Sequence, residues 1–389
     1  MKELIVGIFR FENLAGIFYA FIALSVLVVV HEWGHFFAAI RSKVRVEVFS
    51  IGFGRKLFSR KRGGTEFAVS AVLVGGYVKL AGDDPADFKG KPDDFLAQKA
   101  RTRAAIVLAG PLMNYLLGFL LFAFVFMIGF PKMGTHVGEV LPGTGAEKAG
   151  IRAGDEIVAV EGKPTPVWDA LTASVRGAKG KDSLSVTVQR GGERFETAVS
   201  LKQRDSLDEL MQKRRVPQLG IRASTDLLTN TVTIRYGFFR AVGAGAAEVA
   251  RLTVMTYKAL WFMVTGRLAA GDSMTGPVGI FEIFKNVKTL ADFLILSAVL
   301  SVSLALFNVL PIPILDGGHI FFLILEKIRG RAITKETEEK IFRVAMALLL
   351  ALMAFVTFND IIRFGYVGKV KKSLQPAHTQ TTVVPDGGK

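Results

Sequence analysis

Three stretches of this chain run without charge for long enough to cross a membrane as helices. Residues 13–30, 104–131 and 293–315 contain no Asp, Glu, Lys or Arg, and about 18 apolar residues suffice to cross a hydrocarbon layer roughly 30 Å deep. A soluble core has no use for runs of this length. A fourth stretch, 344–362, has the same character but holds Asp360 near its end. The pattern predicts a polytopic α-helical membrane protein with four spans. Lys2 and Arg10 precede the first run, but no small-residue cleavage site follows Val30, so the run reads as a retained span rather than a cleaved signal peptide.

The formal net charge is +15, which could point to nucleic acid. Its distribution argues otherwise. Arg41, Lys43, Arg45, Arg55, Lys56, Arg60, Lys61 and Arg62 follow the first span, and Lys99, Arg101 and Arg103 precede the second. Basic residues beside spans set topology and favour anionic lipid heads. Membrane lipid is therefore an expected partner and nucleic acid is not. The rule places the loop up to Arg103 in the cytoplasm and the N-terminus outside. The loop 326–343, with Lys327, Arg329, Arg331 and Lys335, falls on the same side; Lys369, Lys371 and Lys372 fall on the opposite one. The chain has no cysteine, which excludes disulfides, thiolate nucleophiles and thiolate metal ligands.

Between the spans the character changes. Residues 42–103 begin with β-branched and aromatic segments punctuated by glycine, which predict a small sheet dipping beside the first span, and end in a short interfacial helix over 95–103. Residues 134–205 alternate short strands with Gly and Pro turns and carry mixed charge, the mark of an inserted soluble α+β domain. Residues 206–290 read as a polar connector followed by a helix over 238–267, whose Glu248, Arg251 and Lys258 suit the membrane interface better than a fifth span. Spans three and four are bounded as 291–325 and 344–364, and 365–389 reads as a disordered tail.

The chemistry concentrates at the end of the first span, in His31-Glu32-Trp33-Gly34-His35. Residues four apart share a helix face, so both imidazoles can reach one ion. Zinc favours such nitrogens, and Glu32 beside them can take a proton from an activated water. Only five histidines occur in the chain and two are here, in an apolar run where polar groups are costly and usually functional. A catalytic zinc needs a third protein ligand. Asp316, at the end of the third run in NVLPIPILDGGH, is the first candidate and His319 its rival. Pro311 and Pro313 break the helix there, and Gly317 and Gly318 free the backbone. Gly110 and Asn114, within AGPLMN of the second span, read as close-packing residues.

HEWGHF in a first span and NVLPIPILDGGH in a later one resemble the two motifs of the site-2 protease family of intramembrane zinc metalloproteases. GGYVKL, AGPLMN and the soluble insert are similar to its bacterial branch that includes the regulator of sigma-E protease. The similarity runs in order from Leu24 to Phe364. It implies zinc bound by His31, His35 and Asp316, Glu32 as general base, Asn308 holding substrate near the metal, and a membrane-dipping sheet over 44–80. The insert VGEVLPGTGAEKAGIRAGDEIVAVEGKPTPVWDAL resembles a PDZ domain, whose groove admits a peptide as an added strand or stands as a spacer. Only one such domain is present, where some members have two.

The resemblance implies an endopeptidase of the bacterial inner membrane, with its site toward the cytoplasm and its PDZ domain outside. It would cut transmembrane substrates such as anti-sigma factors or remnant signal peptides already trimmed by another protease. Two other readings stand beside it. One is a membrane metallopeptidase of another lineage that acts on lipidated or soluble peptides. The other is a PDZ-bearing membrane adaptor without proteolytic activity.

Overall fold

A computed structural model describes residues 11–178, 180–207, 213–226, 230–269, 271, 274–331 and 334–364. The tail 365–389, expected to be disordered, and His378 lie outside the described residues. Those described fall into two compact units: one holds the chain up to 115, 269–288 and 304 onward, the other 116–268 and 289–303.

Four helices among the described residues are long and apolar enough to cross a membrane: Ala15–Arg41, Ala100–Ile128, Leu290–Asn308 and Glu336–Arg363. They belong to α1 (Phe11–Arg41), α2 (Ala100–Ile128), α7 (Leu290–Asn308) and α9 (Lys335–Arg363). At 1.5 Å per residue, even the shortest is about as long as the hydrocarbon layer is thick. Their outward faces are apolar: Phe18, Phe37, Leu112, Leu120, Leu348 and Phe358 are all exposed. Continuous apolar surface of this extent is tolerable only against lipid. The short helix expected over 95–103 does not stand alone, because α2 itself starts at Ala100.

In the first unit, β1 (Val46–Arg62) and β2 (Thr65–Leu80) make the loop sheet. Both strands bend, and the register doubles. Phe49 pairs with both Val78 and Phe67, Ser50 with Tyr77 and Ala68, Ile51 with Gly76 and Val69. Residues 48–51 and 66–69 are thus two inner segments paired on both sides, with 76–80 at one outer edge and 56–62 at the other. Gly52, at φ +90, makes the bend, and a Cβ there would sit 2.7 Å from the Val72 carbonyl oxygen. Phe49 and Phe67 both meet Phe36 of α1 edge to face, with ring centroids 5.4 and 5.6 Å from its own. Ser25 Oγ donates to the Leu73 carbonyl at 2.9 Å. The sheet therefore lies along the helix that bears the histidines.

The third apolar run, 293–315, is not one helix. α7 stops at Asn308 and α8 (Asp316–Arg329) begins a new axis. Pro311 and Pro313 supply no N–H and disfavour helix before them, and tight turns such as Ile312 N–H to Leu310 O bridge the gap. Gly317 and Gly318 pack where a Cβ would collide with the Leu310 and Ile312 carbonyl oxygens. Only glycine permits the restart that puts Asp316 first in its helix.

α9 runs from Lys335, so part of the loop expected over 326–343 is helical. Glu336 and Lys340 pair across one turn at 2.7 Å. Asp360, the residue that weakened the fourth apolar run, is fully buried. Its Oδ2 accepts the Gly279 N–H at 2.7 Å, at the start of α6 (Pro277–Lys285). A carboxylate placed there satisfies an end N–H and suits the helix dipole. α6 in turn abuts α1, where a Cβ on Gly16 would sit 2.7 Å from Lys285 Cα.

The second unit centres on the inserted α+β domain whose sequence resembles a PDZ domain. A four-stranded sheet runs β6 (Lys163–Pro164), β5 (Glu156–Val160), β7 (Ser183–Arg190), β8 (Glu193–Ser200). Leu184, Val186 and Val188 alternate inward to meet Ile157, Val160, Val199, Leu171 and Val175, the period-2 pattern of a half-buried sheet. Asp155, buried in the turn before β5, accepts from Arg190 Nε at 2.7 Å and from the Arg152 N–H at 2.7 Å. The stretch expected to be a polar connector carries strands. β11 (Ile221–Ala223) pairs with β4 (Val137–Val140), and β12 (Thr231–Ile234) with β3 (Phe130–Met133). Segments of three or four residues have too little periodicity to announce themselves. α5 (Phe238–Val264) is the expected later helix; it exposes Phe238, Phe239 and Trp261 and sets Gly245 against Ala123.

Replacing Asp360 with Ala leaves the buried Gly279 N–H of α6 without its acceptor. Stability should fall by about 1–3 kcal/mol, measured as thermal unfolding of detergent-solubilised protein. An unchanged transition would show that the carboxylate does not anchor α6.

Candidate metal centre

α1 carries His31 and His35 on one face, one turn apart. Their Nε2 atoms lie 3.1 Å from each other. Asp316 Oδ2 lies 3.0 Å from His31 Nε2 and 3.5 Å from His35 Nε2. Two imidazoles from the first helix and one carboxylate from nearly 300 residues later thus converge, the group of three metal-type ligands found among the described residues. At zinc–ligand bonds of 2.0–2.1 Å in a tetrahedron, neighbouring donors stand about 3.3 Å apart. The three observed separations bracket that edge length. Asp316 Oδ2 is sealed from solvent, and its near polar neighbours are the two imidazole Nε2 atoms, neither in a hydrogen bond with it. A buried anionic oxygen left so is expensive unless a cation satisfies it. The donor set and spacing fit a tetrahedral ion with one position open.

Ring orientation has visible causes. His35 Nδ1 donates to the Ile106 carbonyl of α2 at 2.9 Å. A carbonyl can only accept, so the proton sits on Nδ1 and the Nε2 lone pair faces the site. Gly110, one turn further along α2, is where His35 lies: a Cβ there would collide with Nε2 itself. Gly34 likewise admits the Ala109 carbonyl oxygen. α1 and α2 thus touch backbone to backbone through small residues, as close helix crossings in membranes require.

The other expected residues fall into place around this triangle. Glu32 is outside the ligand group and faces β2, with Gly76 beside its Cγ and the Val78 backbone beside its carboxylate. Asn308 is the last residue of α7, partly buried, at the start of the turns leading to Asp316. His319 sits exposed on α8 and is not one of the converging residues. His136 belongs to the PDZ unit, where its N–H is held by Asn230 Oδ1 at 3.1 Å.

What sequence reasoning undervalued is α2. Ile106, Gly110 and Asn114 recur every four residues, so one face of that helix backs both imidazoles. The available signal was Asn114, a carboxamide inside an uncharged span.

A membrane protein with this broken third run and two such motifs has counterparts. The model of peptidase family M50 matches residues 19–352. A relative in Agrobacterium fabrum is 36% identical over 357 residues, covering 87% of this chain and 94% of that one. The zinc metalloprotease RasP of Oceanobacillus iheyensis is 29% identical, with 87% of this chain and 97% of that one aligned. The regulator of sigma-E protease RseP of Salmonella typhimurium is 28% identical over 88% of this chain and 97% of its own. Among solved structures, the PDZ domain of an SdrC-like protein from Listeria monocytogenes aligns with 24% of this chain at 20% identity and a TM-score of 0.20. The fold and site define a membrane-embedded metallopeptidase. The chain belongs to peptidase family M50.

Gly110→Ala should lower the zinc content of purified protein by about tenfold or more under chelator competition, the scale on which disturbed ligand support weakens metal sites. Zinc retained at the wild-type level would mean that α2 does not press on His35.

Proposed function

We propose that this chain is a zinc-dependent intramembrane endopeptidase in which His31, His35 and Asp316 hold the ion and Glu32 is the general base. The observation that carries this reading is the meeting of three metal-type ligand atoms from two distant helices, the first of them apolar and long enough to cross a membrane. Its relatives bear zinc metalloprotease and regulator of sigma-E protease in their names, which agrees with the donor set. Zinc, when bound, supplies a Lewis acid that polarises a scissile carbonyl and makes a water acidic near neutral pH.

The protein's own residues do the rest. Glu32, adjacent to the ligands and facing the sheet, accepts a proton from the attacking water and passes it to the leaving amine. A peptide bond in an intact transmembrane helix is already hydrogen-bonded and sterically covered, so the substrate must open locally. β2 offers a place for it: residues 76–80 lie at the outer side of the sheet beside Glu32, where an opened segment can pair as an added strand. Asn308, at the end of α7, holds the substrate near the ion.

The substrates are single-span membrane proteins, such as anti-sigma factors or remnant signal peptides, already trimmed by another protease. The PDZ domain stands outside the bacterial inner membrane and selects by peptide binding or size. The site opens to the cytoplasm, because the basic residues after α1 and before α2 favour that side.

Glu32→Gln should reduce cleavage of a single-span substrate in proteoliposomes by about 100-fold or more while zinc content stays at the wild-type level. Cleavage within a few-fold of wild type would remove Glu32 from the mechanism. A soluble peptide of the same sequence should be cut far less well than its membrane-inserted form.

A further inference from the structure

Each ligating imidazole has a second nitrogen, and the partner of that nitrogen decides which tautomer the ring adopts. For His35 the partner is a carbonyl, which leaves no choice. His31 differs. Its Nδ1 faces the carboxamide of Asn114, whose Nδ2 lies 3.4 Å away. Asn114 has no exposed surface and sits within the uncharged 104–131 stretch. Burial of a carboxamide there is costly unless its polar atoms are used.

A carboxamide presents a donor on one side and an acceptor on the other, so it can support either tautomer. With Nδ2 toward the ring, Nδ1 must accept, and the proton occupies Nε2, facing Asp316 Oδ2 at 3.0 Å. With Oδ1 toward the ring, the proton sits on Nδ1 and the Nε2 lone pair is released to the site. Only the second arrangement lets His31 ligate an ion through Nε2.

We infer that Asn114 is the positioning residue for His31: with its carboxamide turned over from the orientation in which Nδ2 faces the ring, the amide oxygen holds the Nδ1 proton so that Nε2 is open to zinc. This rests on the reading of His31 as a zinc ligand. Ile106 and Asn114, two helical turns apart, then play matching parts: a fixed backbone acceptor for His35 and a side-chain acceptor for His31. Gly110, between them, leaves the space in which the ligating atoms meet. On this view the polar residue of α2 serves the metal site and not merely helix packing.

The test uses full-length protein in detergent, its zinc affinity measured by competition with a chromophoric chelator. Asn114→Leu keeps the volume and removes the acceptor; its affinity should drop by roughly 10- to 100-fold. Asn114→Asp keeps an oxygen acceptor and should bind zinc within about threefold of wild type, or more tightly, as paired carboxylate and imidazole do at zinc sites. Wild-type affinity in the Leu variant would overturn the inference. So would an equal loss in both variants, because that outcome assigns the residue to packing. Failure of the wild-type protein itself to bind zinc would instead remove the underlying reading of the metal site.

Discussion

The structure depends on keeping one carboxylate and two imidazoles within about a zinc tetrahedron's edge of one another, where each has little exposure to solvent. The supports for that meeting are small residues beside the ligating positions and on α2. Gly34 and Gly110 let α1 and α2 touch, so that Ile106 can orient His35. Gly317 and Gly318 let α8 begin against the 309–313 turns, so that Asp316 leads its helix. Side chains at any of these four positions would displace a ligand or the backbone that carries it. The small residues are therefore part of the site although they bear no chemistry.

Lipid imposes the second constraint. Backbone groups at membrane depth must be paired or face a wet cavity, yet the chain places a sheet and a broken helix near its metal centre. The sheet pairs its two inner segments on both sides and packs aromatic rings on α1. The break between α7 and α8 closes on itself through short turns. Toward the far end of α9, the buried Asp360 carboxylate accepts through Oδ2 from the start of α6. Both irregular segments adjoin the ligands, where a substrate would have to leave its helix. A peptidase in the bilayer needs backbone that can be met by another chain, and continuous helices offer none.

Much of this was legible in the residues. His31, Glu32 and His35 declare themselves because helical spacing and scarcity coincide, and Asp316 because two prolines and two glycines surround it at the end of an uncharged run. The four spans follow from length and charge alone. Other features are set by contacts that no local pattern encodes. The doubling of the sheet depends on bends at Gly52 and near Gly75, and glycines in strands usually mark ordinary turns. β11 and β12 are too short to show a period, and their partners lie some 80 to 100 residues earlier in the chain. Asn114 was visible as a polar residue in a span, but its use became clear only when His31 Nδ1 was found beside it.

The central claim is that Asp316 completes a site begun by His31 and His35. Zinc stoichiometry of purified full-length protein, compared between wild type and Asp316→Ala, tests it most directly. Wild type should carry about one zinc ion per chain and the variant little or none after brief dialysis against a mild chelator, since two ligands do not make a stable tetrahedral site. Equal, tightly held zinc in both proteins would contradict the claim, because the ion would then have a different third ligand.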